Sequence, residues 1–105
     1  MSRKEIVIKA IDRLKREIKY YDSSIEDDHK AIENLLSLKK RSEAENDPTL
    51  FTEEHAYKLK YRYSSVQENI AAKDEAERIL INSQDELREI EESNRYLSQA
   101  HYKTE

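Results

Sequence analysis

Glycine, cysteine and tryptophan are absent from this chain of 105 residues, and proline occurs once, at Pro48. Without glycine, tight hairpin turns that need positive φ are nearly excluded. Glycine-rich phosphate loops and glycine-built oxyanion loops go with them. The lack of cysteine removes disulfide frameworks, thiolate zinc sites and thiol nucleophiles together. Long apolar runs are missing at the start of the chain, where only Ile6-Val7-Ile8 intervenes between Glu5 and Lys9. Neither a signal peptide nor a membrane span is expected there, and a cytoplasmic location is the default.

What is present is charge. Charged residues make up 40% of the chain and hydrophobic ones 36%, a composition shared by disordered segments and by solvated coiled coils. Periodicity separates the two. The net charge of −4 is unevenly placed: residues 1–19 hold seven Lys/Arg against three acids, and residues 74–105 hold nine acids against four Lys/Arg. Two ends of opposite sign suit a chain that folds back on itself.

From Val7 the apolar residues recur at alternating spacings of four and three, through Ile11, Leu14, Ile18, Tyr21, Ile25, Ile32 and Leu35, with Asp28 as a polar intruder and Lys39 at the end. This heptad predicts a helix over about residues 3–45 with a narrow buried seam. The pattern fails at Glu45-Asn46-Asp47-Pro48-Thr49, so a turn is expected over 46–52. Thr52, followed by Glu53 and Glu54, offers an N-cap for a second helix ending near residue 102; Asp47 capping a helix begun by Pro48 is the alternative. In that helix one line runs through Leu59, Val66, Lys73, Leu80, Leu87, Asn94 and His101. Its companions are Tyr63 and Ile70 early, then Ala76, Ile90 and Leu97, so the stripe is expected to drift. Tyr57 to Tyr63 also alternates with period two, a strand pattern for which the sequence offers no pairing strand.

The expected fold is therefore all-α: one domain in which two long helices form an antiparallel coiled-coil hairpin. If the fold-back is centred on the turn, facing residues have numbers that sum to about 101. Leu14 then meets Leu87, Leu35 meets Val66, and the intruders Asp28 and Lys73 meet each other. An Asp28–Lys73 pair in the core would fix register; the alternative is that both side chains snorkel to solvent. The same rule sets Lys9, Lys15 and Arg16 opposite Glu92, Glu86 and Asp85.

One stripe per helix is too little burial for a chain of this length. A second apolar face is expected from residues off the seam, with Ile8, Leu36, Leu38, Tyr57, Tyr61, Ile79 and Ile81 as the candidate partner surface, and Ile6, Tyr20 and Tyr96 beside them. A homodimer with four helices, or a helical protein partner, would cover it. Each of these residues also has an ordinary reading as surface scatter.

Sites for chemistry are sparse. Glu26 and His29 have the Glu-x-x-His spacing of di-iron bundles, but the motif occurs once and Lys73 is expected at that layer. His55 and His101 lack ligand spacing to another histidine. Ser23, Ser24, Ser64 and Ser65 have no histidine base. The cations and tyrosines of Tyr57–Tyr63 would split between two helix faces, which makes a poor nucleic-acid platform. The sequence thus predicts a protein that is not an enzyme, binds no cofactor and no membrane, and acts as a coiled-coil interaction module. A small inhibitor, antitoxin-like or phage-type protein that blocks a larger enzyme is the alternative; nucleic-acid binding through the basic first helix and Tyr57–Tyr63 ranks below both.

Overall fold

A computed structural model describes residues 1–104, with side-chain surroundings for residues 1–98. It contains two helices, α1 (Arg3–Glu45) and α2 (Glu53–Thr104), packed as an all-α hairpin. The tyrosine-rich stretch with strand-like alternation lies wholly inside α2. A lone strand there would have left its backbone groups without partners. The residues group into two compact units, Met1–Ile18 with Glu75–Glu105, and Lys19–Asp74.

The helix ends are built by local chemistry. Ser2 caps α1, its hydroxyl accepting the Glu5 N–H at 3.2 Å. At the other end Asn46 takes φ 53°. The Asp47 N–H returns to the Ser42 carbonyl at 3.0 Å and the Asn46 N–H to that of Glu43 at 3.3 Å. This is a Schellman closure with asparagine in the left-handed place that glycine usually holds. Asp47 then accepts from the Thr49 N–H at 3.0 Å and from the Thr49 hydroxyl at 2.6 Å. Thr52, not Asp47, caps α2: its hydroxyl accepts the His55 N–H at 3.5 Å, while its own N–H donates to His55 Nδ1 at 3.0 Å. This is a capping box with histidine in place of the usual Glu or Gln. Phe51 stacks on that imidazole, with ring centroids 5.7 Å apart.

Asn46 gives a first test. A Cβ-bearing residue without a polar side chain is penalised in the left-handed region. Asn46→Ala should therefore lower stability by about 1 kcal/mol, and Asn46→Gly should not. Urea midpoints of the two variants check this; equal losses would mean that the closure does not depend on this backbone conformation.

The seam of α1 follows the heptad, with Val7, Ile11, Leu14, Asp28 and Ile32 buried. Near its end the stripe moves to Leu38 and Ser42, both half-buried, while Lys39 is exposed. Leu38 thus belongs to the seam side and leaves the expected partner surface.

The seam of α2 departs from expectation. It runs without drift through His55, Leu59, Arg62, Val66, Asn69, Lys73, Ala76, Leu80, Ser83, Leu87 and Ile90, all buried or half-buried. Tyr63 and Ile70, expected in the seam, are 46% and 44% exposed. The positions assigned to them belong to the polar residues one place earlier, Arg62 and Asn69.

The register differs too. In the first unit Arg3 bridges Glu86 at 2.8 Å and Lys4 lies 3.9 Å from Glu91. In the second, Asp28 meets Arg62 at 2.8 Å and Asp22 meets Lys73 at 2.6 Å. The numbers of these pairs sum to between 89 and 95, about one heptad short of the expected register. The acids expected opposite Lys9, Lys15 and Arg16 are not met by them: Glu86 is engaged by Arg3 instead, and Asp85 by Arg88. In keeping with this register, the loop lies beside the end of α1, where Lys39, Phe51 and Ala56 line one groove.

Candidate functional site

The most unusual group in the second unit is Asp28, which is 3% exposed. A carboxylate in that position is costly unless it is paired and hydrogen-bonded. Arg62 Nη1 donates to its Oδ1 at 2.8 Å, and the Ser65 hydroxyl to its Oδ2 at 2.7 Å. Asn69 Nδ2 donates in turn to Ser65 Oγ at 3.4 Å. The residues of α2 that serve Asp28 thus lie one turn apart on one face, and Asn69 orients the hydroxyl that Asp28 receives. Burial pushes the Asp28 carboxyl up. The hydrogen bonds from Arg62 and Ser65, with the Arg62 charge, outweigh this and hold it below the usual carboxylate value.

The expected Asp28–Lys73 pair is therefore corrected: Asp28 is taken up by Arg62 and Ser65, and Lys73 reaches Asp22. The shifted register separates the two intruders along the seam. Arg62, Ser65 and Asn69 escaped the sequence reading because a search for apolar companions selects Tyr63 and Ile70. Counting back by sevens from Ile90, through Ser83 and Ala76, would have arrived at Asn69 and Arg62.

The lowered Asp28 pKa has a pH consequence. An unfolded Asp ionises at the usual value, so this group's contribution is complete above that range and is lost as the pH falls through the lowered folded value. Urea midpoints should decline in the acid range, and Asp28→Leu should remove part of that decline. Identical acid slopes for the two proteins would contradict the assignment. Asp47, held down by Thr49, and Glu75, held down by Arg78, leave a residual slope in both.

An open groove lies over this cluster, lined by Tyr20, Ser24, Asp27 and Tyr61 beside Asp28 and Arg62. A second, lined by Ala31, Leu35 and Lys58, shares Tyr61 and Arg62. Tyr61, from the expected partner surface, thus stands between two grooves. A third groove is lined by Phe51, Ala56, Leu59 and Tyr63 together with Lys39 and Lys60. Of the other expected surface residues, Leu36 and Tyr57 are exposed in the second unit, and Ile8, Ile79 and Ile81 in the first.

The carboxylates whose pKa shifts all shift downward, away from the neutral range in which a general acid or base works best. Glu26 pairs with Lys30 at 3.2 Å, and among the described residues no group of His, Asp and Glu converges on a metal position. His55 is a helix cap; the His101 side chain lies outside the described residues. Of the cations in the tyrosine-rich stretch, Lys58 pairs with Glu54 and Arg62 with Asp28, which reduces the charge available to a phosphate backbone. Among the described residues no helix is long and apolar enough to cross a membrane. Compared with protein-family models, curated proteins and solved structures, the chain finds no match.

Proposed function

We propose that this chain is a non-catalytic, cytoplasmic interaction module that acts by helix–helix association, with a second copy or with a helical protein partner. The observation that carries the reading is how little apolar surface the hairpin uses. Only Val7, Ile11, Leu14, Ile32 and Ala76 are buried apolar residues among those described, while Leu36, Tyr61, Tyr63, Ile70, Ile79 and Ile81 stay exposed.

Photo-cross-linking in cells from probes at Leu36, Tyr61 and Ile70 tests the reading. Adducts of defined protein mass, from this chain or another, are expected at one or more positions. Their absence from all three, with the protein folded and abundant, would remove it.

A further inference from the structure

This inference rests on the helix-docking reading and names the occupant of one surface. We propose that the groove beside Phe51 receives the outer face of α2, around Glu89, Glu92 and Tyr96, from a second copy of this chain.

The groove is built before anything enters it. Phe51 is fixed by its stack on His55, which the capping box with Thr52 holds in turn. Ala56, Leu59 and Tyr63 extend the apolar lining along α2, and Lys39 and Lys60 bring positive charge to it. Of the neighbouring cations, Arg41 is paired with Glu45, Lys58 with Glu54 and Arg62 with Asp28, while Lys40, beside Lys39, adds a further positive charge at the end of α1. Lys39 and Lys60 have no such partner among the described residues. An apolar slot with two uncompensated ammonium groups selects an apolar anchor flanked by carboxylates.

The chain carries that chemistry itself. Residues 91–98 of α2 are all exposed. Glu89, Glu92 and Tyr96 follow one another at helical spacing, so they share one face. The other acids of this stretch are occupied, Asp85 by Arg88, Glu86 by Arg3 and Glu91 by Lys4. Glu89 and Glu92 have no ion-pair partner among the described residues. Tyr96 is 71% exposed and offers a large, rigid anchor that loses little entropy on docking. Each copy supplies one groove and one such face, so two copies hold both halves of the contact.

Charge reversal on the full-length chain tests this, with mass read by light scattering and helicity by circular dichroism. The wild-type protein should show a two-chain mass. Lys39→Glu/Lys60→Glu and Glu89→Lys/Glu92→Lys should each keep full helicity but weaken association at least about tenfold. An equimolar mixture of the two variants should restore the two-chain mass, because the contact between a reversed groove and a reversed face is again of opposite sign. A wild-type protein of one-chain mass at every concentration overturns the proposal, as does a mixture that fails to associate. A dimer indifferent to Lys39→Glu/Lys60→Glu also overturns it, but leaves the helix-docking reading standing with a different surface.

Discussion

Arg62→Ala is expected to destabilise the hairpin by about 3 kcal/mol, and Asp28→Leu by much less, although both remove the same ion pair. The asymmetry follows from where the two groups sit. The Asp28 side chain is 4% exposed and that of Arg62 40%. Without Arg62 the carboxylate stays buried with the neutral donors Ser65 and Asn69 and no cation to compensate it, and it must either keep an unpaired charge or take up a proton. Without Asp28 the guanidinium can turn to water, and leucine supplies apolar volume on a line already held by Leu14 and Leu35. The double variant Asp28→Leu/Arg62→Met should recover most of what Arg62→Ala loses, since apolar replacements of buried ion pairs are often neutral or better. Urea unfolding of the three variants and the wild type makes the comparison. Equal losses for Arg62→Ala and Asp28→Leu would show that Asp28 is not buried as described.

If that ordering holds, the ion pair contributes specificity more than stability, by selecting among registers that the apolar seams leave open. Helix α1, expected over about residues 3–45 because the heptad, the turn formers and the single proline all agree, runs over Arg3–Glu45. The start of α2 was legible from Thr52. The register was not. In an antiparallel pair, a slip of one whole heptad brings the same seam lines face to face again, so periodicity alone leaves such registers indistinguishable. Polar residues must break the tie. In the observed register Asp28 lies within reach of Arg62, Ser65 and, through the serine, Asn69. In the expected one its partner would have been Lys73, with a single flexible ammonium.

The polar network was itself invisible to a search for apolar positions. Tyr63 and Ile70 sit one residue past the true seam and satisfy a hydrophobic pattern, while Arg62 and Asn69 violate it. Partial exposure of Tyr63 and Ile70 is then the consequence of giving the seam to Asp28. Ile70 is among the residues proposed to face a partner, and Tyr63 lines the groove proposed to bind one. Apolar residues displaced from the seam by a buried charge thus become exposed apolar surface.

The second large effect is expected at Leu14, which lies on the same line of α1 as Asp28 and is likewise 3% exposed. Leu14→Ala removes a side chain from the small set of buried residues in its unit, Val7, Ile11, Leu14 and Ala76, and should cost roughly 3 kcal/mol in lost transfer energy and cavity formation. Leu14→Asp should unfold the unit at neutral pH, whereas Leu80→Asp, at a half-buried position, should be milder. The informative contrast is between two aspartates on one seam. Asp28 has Arg62 and Ser65, its pKa is lowered, and its contribution is lost in acid. An aspartate at position 14 would gain no equivalent donors from Val7, Ile11 or Ala76. Burial would therefore raise its pKa, and the folded state would recover stability as the pH falls and the carboxyl becomes neutral. Thermal melts followed by circular dichroism at pH 7 and in mild acid should show opposite trends for wild type and Leu14→Asp. A Leu14→Asp protein as stable as wild type at neutral pH would mean that the seam does not pass through Leu14.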